Sequence, residues 1–417
     1  MDQDVHRCKG MKDMLPDDMA LFRHIEQTFR NLCQKWGYRE IRTPVVEYLH
    51  LFTASGTLTP SKLGQTYSFL DWDGWSGERV VLRPDSTIPT ARLYVDNLDG
   101  MGKARLCYVH NVFTFEPSGL ENREKWQCGA EFIGGTGPLA DAEIVLMAVD
   151  ILKTLGIKNI EIQISHAGLI KTLLGEIEKD PAKQAELFDN ILDGKLEDLK
   201  IEKGSELDRV LNLLLGSSGK SEGFLKNLES ITYPILPAIG PAMENFIQIA
   251  ELLSPVKGHF QFNLASGRGF EYYTGMMLQF NSGGVRIGGG GRYDDLFPLI
   301  NSQVVPACGF ALYLDTLTGM VKPPSSKGDS SQAIAVYPRE PTRELIGAGF
   351  ELCRLLRDEG FTAYLEPTEE EAQKSHRSIS VRSKNGTMVF SLREKSGRPE
   401  KIFVTTDNLV GELAKVV

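Results

Sequence analysis

The chain has 417 residues, 41% of them hydrophobic and 24% charged, a composition that fits a folded globular protein of two or three domains. Its 46 Lys and Arg stand against 55 Asp and Glu, a net charge of −9, which argues against broad nucleic-acid binding because that depends on neutralising phosphates. No apolar run is long enough to span a bilayer and Met1 to Gly10 carries no signal-peptide core, so a soluble, cytoplasmic protein with no membrane partner is expected. The six cysteines (Cys8, Cys33, Cys107, Cys128, Cys308, Cys353) are scattered, with no C-x-x-C pair and no His at zinc spacing, so reduced thiols and no metal site are expected.

The first element is a helix capped by Asp17, in which Phe22, Ile25, Phe29, Leu32 and Trp36 recur at helical spacing before Gly37 stops it. Tyr38 to Pro44 alternates as a strand and ends on proline, and further strands are expected at Arg79 to Leu82 and Ala104 to Phe115. A helix follows from about Asp141 to Leu155, then a strand from Glu161 to Ser165. From about 168 to 256 Leu-rich, charged segments dominate, which predicts a helical insertion. Strand texture returns at His259 to Leu264, Tyr272 to Phe280 and Val285 to Ile287. Residues 323–331 are polar, proline-bearing and aperiodic and read as a linker between a domain at 1–322 and a small one at 332–417. The small domain has β-α-β grammar: a strand at Ala333 to Val336, a helix from Thr342 to Glu359, a Lys384-Asn385-Gly386 turn and a last helix from Asp407.

Four segments carry chemistry. Gly219-Lys220-Ser221 is not among them, because a phosphate-binding loop needs a glycine where Leu214 stands. Leu82-Arg83-Pro84-Asp85-Ser86-Thr87 is a strand running into a turn. In Gln127-Cys128-Gly129-Ala130-Glu131 the alternation puts Gln127 and Glu131 on one face, with Gly129 leaving space between them for a small ligand. Gly267-Arg268-Gly269 followed by Tyr272 and Tyr273 offers a guanidinium for a carboxylate and an aromatic wall with hydroxyl handles. Gly288 to Gly291, leading into Arg292-Tyr293-Asp294, allows backbone and ligand to approach closely.

The order and spacing of these segments, with Gly10 to Pro16 and Arg42-Thr43-Pro44 before them, resemble histidyl-tRNA synthetase over roughly the first three-quarters of the chain. The resemblance implies an α/β (α+β) class II synthetase-like antiparallel sheet flanked by helices, with Ile41 to Pro44 as motif 1, the self-pairing face, Val112 to Glu131 as motif 2 and Gly309 to Leu317 as motif 3. It also implies a histidine site in which Asp85, Thr87 and Gln127 hold the ammonium and Glu131, Tyr272 and Tyr273 surround the imidazole. Arg268 would take the carboxylate, with Arg123 close by. Where the synthetases carry arginines on the ATP α- and γ-phosphates, this chain reads Phe113-Thr114-Phe115-Glu116 and Leu314-Asp315-Thr316-Leu317. Losing one preorganised donor costs roughly 3–4 kcal/mol in a comparable oxyanion site.

A synthetase fold with a damaged ATP site and a kept histidine site resembles the regulatory subunit of short-form ATP phosphoribosyltransferase. Leu82 to Arg92 and Ile164-Ser165-His166-Ala167-Gly168 look closer to that family, and His166 is given no catalytic role. The resemblance implies a non-catalytic protein without cofactor. Its partners would be the catalytic subunit, a second copy of itself and L-histidine as effector. The C-terminal module loosely resembles an anticodon-binding domain, but no basic or aromatic stripe supports tRNA as a partner. A divergent histidyl-tRNA synthetase is the alternative.

Overall fold

The computed structural model describes residues 7–54, 63–72, 77–98, 100–118, 120–192, 201–256, 258–264, 273–301, 303–322, 333–394 and 399–414. They fall into two compact units, 1–323 and 324–417. The linker reading at 323–331, Arg268 and Tyr272 all lie outside the described residues.

The first unit opens with a helix at Pro16–Lys35, which buries Phe22, Ile25, Phe29 and Leu32 along one face. Its start differs from the expectation. Leu15, not Asp17, is the cap residue, because Pro16 with its fixed φ takes the first helical position. Asp18 then accepts a hydrogen bond from the Leu15 N–H at 3.4 Å. Strands β1 (Arg39–Glu40), β2 (Val46–Tyr48), β3 (Ser68–Trp72) and β4 (Gly77–Leu82) follow, and β2, β4 and β3 form a separate three-stranded antiparallel sheet in that order.

The long antiparallel pair β5 (Ala104–Phe113) and β6 (Glu124–Ile133) forms the heart of a second, nine-stranded sheet. It is completed by β7 (Ile160–His166), β8 (Ser218–Gly219), β9 (Phe260–Asn263), β10 (Met276–Ser282), β11 (Val285–Arg292) and β12 (Ala307–Tyr313). The order is β1-β5-β6-β12-β11-β10-β7-β9-β8, antiparallel except for β1·β5 and β7·β9. The strand expected from Tyr272 begins instead at Met276 among the described residues. Cys107, Val109, Cys128, Ala130, Ile162, Ile164, Leu278 and Phe280 point to one side of this sheet, into a core shared with the helices at Pro16–Lys35, Gly137–Thr154 and Gly240–Leu252. Between β7 and β9 lie helices at Ala167–Ile177, Pro181–Leu192, Glu206–Gly216, Glu222–Thr232 and Gly240–Leu252. Within the Gly219-Lys220-Ser221 segment, Ser221 caps one of them by accepting from the Phe224 N–H.

Two buried arginines brace the unit. Arg83 donates to the Thr43 and Pro44 carbonyls (2.9 and 3.1 Å) and to the Asn111 carbonyl and side chain (2.7 and 2.8 Å). It thereby ties the Arg42-Thr43-Pro44 segment to β5. Arg292 donates to Asp141 at 2.9 Å, to the Gly135 carbonyl at 3.0 Å and to Asp294 at 3.1 Å, which locks the end of β11 to the helix at Gly137–Thr154. Burial raises the Asp141 carboxyl to about 6 even with Arg292 beside it.

The second unit is a five-stranded sheet, order β14-β13-β15-β16-β17, of β13 (Ile334–Pro338), β14 (Ala363–Leu365), β15 (Arg377–Lys384), β16 (Thr387–Glu394) and β17 (Lys401–Phe403). The helices at Arg343–Asp358 and Thr406–Ala414 cover one face over Ile334, Val336, Ile379, Val381, Phe390 and Leu392. Asn385 and Gly386, at φ 55° and 76°, make the two-residue turn between β15 and β16. Among the described residues no helix is long and apolar enough to cross a membrane.

Removing one partner of a buried ion pair leaves the other charge uncompensated. Asp141→Ala is expected to destabilise the first unit by about 3 kcal/mol in denaturant unfolding, against a loss below about 1 kcal/mol if the pair is dispensable.

Candidate functional site

The opposite face of the nine-stranded sheet carries a narrow cleft with a cavity volume of about 20 Å³. Strand alternation builds its floor, because Gln127, Gly129 and Glu131 point away from the core side taken by Cys128 and Ala130. The neighbouring registers extend the pattern: Glu131 lies opposite Gly309, Gly129 opposite Ala311 and Gln127 opposite Tyr313 on β12. On β5 the matching residues are Leu106, Tyr108 and His110. Asp85 and Thr87, at the start of the helix Thr87–Asn97, form one wall, and Tyr273 and Tyr293 form another.

Glu131 is 1% exposed, and three hydroxyls donate to it. Thr87 Oγ1 and Tyr108 OH reach Oε1 at 2.9 and 3.0 Å, and Tyr293 OH reaches Oε2 at 2.6 Å. Burial pushes its carboxyl up to about 8, and the Tyr293 and Thr87 hydrogen bonds offset this only in part. Two glycines make the arrangement sterically possible. A methyl group on Gly309 would lie 1.6 Å from Glu131 Oε2, and one on Gly129 would lie 2.2 Å from the Tyr108 ring. The space beside Gly129, expected to take a ligand, is therefore filled by Tyr108, whose ring delivers its hydroxyl to Glu131.

The other predicted residues divide. Asp85 lines the cleft, and its Oδ1 accepts from the Ile88 N–H at 2.9 Å. Thr87 lines it too, but with its hydroxyl given to Glu131. Gln127 borders both this cleft and a second cavity, and the Tyr273 ring packs against the backbone at Gly291. Arg123 does not join them. Its guanidinium folds back onto its own loop, donating to the Glu116 carbonyl at 2.8 Å and stacking over Phe115 at 4.6 Å. His166 is buried away from the cleft, with Nε2 3.1 Å from Asn245 Oδ1 and its ring against Phe246. Sequence reasoning missed Tyr108 and the hydroxyl role of Tyr293. A glycine inside a strand was the available signal for Tyr108, since it invites an aromatic ring from the strand opposite.

The second cavity, about 550 Å³, adjoins the cleft through Gln127 and Tyr313. Thr114 and Thr316, far apart in the chain, both line it, beside the Trp126 ring. Among the described residues its charged lining consists of two cations, Lys125 and Arg286, and two carboxylates, Glu121 and Asp315. Lys125 is 3.9 Å from Glu121, and Arg286 lies over the Tyr313 ring at 5.9 Å. Asp315 accepts from the Trp126 N–H, and burial raises its carboxyl above the usual range. Such a lining has no concentration of positive charge to meet a polyphosphate. The cleft is different: two acidic side chains, Asp85 and Glu131, a carboxamide and aromatic hydroxyls line it, groups that suit a small polar ligand. Among the described residues no cluster of three His, Cys, Asp or Glu side chains has the geometry to hold a metal ion.

A model of the histidyl-tRNA synthetase family matches residues 10–317. The chain belongs to that family. Within it, the chain is 45% identical over 364 residues to the ATP phosphoribosyltransferase regulatory subunit of Dehalococcoides mccartyi, 87% of each chain. It is 32% identical to the histidine–tRNA ligase of Archaeoglobus fulgidus, over 87% of this chain and 86% of that one. The crystal structure of an ATP phosphoribosyltransferase regulatory subunit/histidyl-tRNA synthetase from Bacillus halodurans has the same fold, with a TM-score of 0.77, 24% identity and coverage of 90% of this chain and 97% of that one. The family fold thus gives the mixed sheet and flanking helices described above, and identity is higher to the regulatory subunit than to the ligase.

The Glu131 carboxyl gives the site a pH signature. Its folded value is raised, so its stabilising contribution is complete below 4.5 and is lost as pH rises to about 8. Glu131→Gln removes that titration. Over this window the natural chain is expected to lose up to about 1.4 kcal/mol per pH unit more than the variant, measured by unfolding at a series of pH values. Parallel stability profiles would show that the carboxyl keeps its ordinary value.

Proposed function

We propose that this chain is a non-catalytic regulatory subunit of ATP phosphoribosyltransferase that senses L-histidine in the cleft beneath Asp85, Gln127, Glu131 and Tyr273. The observation that carries this reading is the contrast between the two neighbouring cavities. One keeps carboxylates, a carboxamide and tyrosines suited to an amino acid with an N–H-bearing side chain. The other has Thr114 and Thr316 where the resemblance expects phosphate-binding arginines, and its described charges cancel. A neutral hydroxyl does not stabilise charge developing on a phosphoryl group as a fixed guanidinium does, so histidine adenylation is not supported. The 45% identity to relatives named as regulatory subunits supports the same role.

In this role the chain associates with the short catalytic subunit and permits catalysis there. Histidine inhibits by binding one state of the assembly better than the other, since equal binding to both would shift nothing. Asp85 and Gln127 receive the ammonium group, Glu131 and Tyr273 face the imidazole, and Arg268 and Tyr272 belong to the same set by resemblance. Arg123, tied to the Glu116 carbonyl, is left out of it. Self-pairing involves the Arg42-Thr43-Pro44 face, which Arg83 holds rigid, and tRNA is not a ligand.

The test uses the purified chain with a short catalytic subunit from the same genome. Adding the chain is expected to raise phosphoribosyltransferase activity and confer histidine inhibition, and Gln127→Ala is expected to weaken that inhibition by about tenfold or more while leaving activation in place. A chain without effect on the catalytic subunit, combined with histidine-dependent pyrophosphate exchange by the chain alone, would make it a synthetase instead.

A further inference from the structure

On the regulatory reading proposed above, we infer that the tip of the β3-β4 hairpin, with Phe69, Leu70, Asp71, Trp72 and Glu78, docks the short catalytic subunit. The sheet order β2-β4-β3 leaves β3 with a strand neighbour on one side only among the described residues. The root of the hairpin is held. Val81 joins the buried core of Phe52, Ile88 and Ala91, and Val80 is buried in the row between Tyr48 and Phe69. The rest stands in solvent: all five residues of β3 and residues 77–79 of β4 are exposed.

The tip is apolar on both faces. Strand alternation puts Phe69 on the outer face with Tyr48 and Val46, and Leu70 and Trp72 on the face that Val81 shares. Phe69, Leu70 and Trp72 are 45%, 54% and 67% exposed. A methyl group on Gly77 would lie 3.4 Å from the Trp72 ring and 3.7 Å from Leu70, so these two side chains lie together over one backbone position. Large apolar side chains gathered on an arm mark an interaction surface, and an edge strand with neither Lys nor Pro is open to a partner.

Charge and position define the occupant. Asp71 and Glu78 stand directly opposite each other, an arrangement of like charges that costs stability. The nearby guanidiniums are engaged elsewhere: Arg79 donates to Ser68 on the other face, and Arg92 pairs with Glu47 and Asp96. The acidic pair therefore calls for a cation from another chain. A two-fold contact between copies has to carry its own complement, and the outer face of the tip carries carboxylates alone. The tip is also remote from the proposed self-pairing segment. Leu82 pairs with Val46, just after Arg42-Thr43-Pro44, and Gly77 lies five residues before Leu82 in β4. At strand rise this is about 17 Å, so a second copy seated on that segment leaves the tip free. The occupant is a different protein with an apolar recess for Leu70 and Trp72 and a Lys or Arg beside it, which is the chemistry asked of the catalytic subunit.

The test uses the full chain with the short catalytic subunit from the same genome and reads the chain concentration that gives half-maximal activation. Trp72→Ser and Leu70→Ser are each expected to raise that concentration about thirtyfold, as loss of a central apolar anchor does. Asp71→Lys turns the repulsive cross-strand pair into an attractive one, so the hairpin is kept while docking weakens about tenfold. In all three variants the sedimentation of the chain alone and its calorimetric affinity for histidine are expected to stay unchanged. Variants that activate at the natural concentration overturn the inference. So does a loss of self-association, which assigns the tip to a second copy. A natural chain that fails to activate the catalytic subunit rejects the regulatory reading itself, and the docking site falls with it.

Discussion

A carboxylate withdrawn from water has to be matched by donors, and at Glu131 three hydroxyls from separate parts of the chain meet that demand. Much of the surrounding architecture follows from it. Gly309 has to be glycine because the carboxylate lies across it, and Gly129 because the Tyr108 ring does. The Arg292 to Asp141 pair has to close because it fixes the residue that carries the third hydroxyl. Even so, the hydrogen bonds do not fully offset burial, and the carboxyl remains raised to about 8.

Two cavities share a border at Gln127 and Tyr313 but differ in electrostatics. The cleft holds two acidic side chains, Asp85 and Glu131, the second raised to about 8 by burial. The larger cavity sets two cations against two carboxylates among its described lining residues, and hydroxyls occupy positions 114 and 316. A synthetase needs both halves to act on one substrate pair, because activation joins the amino acid to a phosphoryl group. A sensor needs only the first. The proposed regulatory role takes this division as its physical basis, and the same fold serves both because fold alone does not fix function.

Local pattern made much of this visible in the sequence. The apolar spacing of Phe22, Ile25, Phe29 and Leu32 gave the first helix, and strand alternation put Gln127 and Glu131 on one face. Asp85, Thr87 and Tyr273 could be grouped with them only through resemblance, since they lie more than 40 residues from Glu131 in either direction and nothing local connects them. What stayed hidden depends on cross-strand register and side-chain choice. That Tyr108 faces Gly129 follows from the β5·β6 pairing, which no single segment encodes. Thr87 resembled an ammonium ligand because its competing partner is 44 residues away. Arg123 sits in a polar loop near the site, but the Glu116 carbonyl and the Phe115 ring are nearer to hand and capture it. The Asp17 cap failed because Pro16 is the better first helical residue.

The central claim is that histidine binds a site no longer coupled to nucleotide. Its most direct test is the calorimetric affinity of the purified chain for L-histidine with and without magnesium ATP. The account predicts dissociation constants that agree within about twofold, a coupling free energy near zero. An affinity that tightens about tenfold or more with ATP would mean that the larger cavity still holds nucleotide against the bound amino acid, and would contradict it.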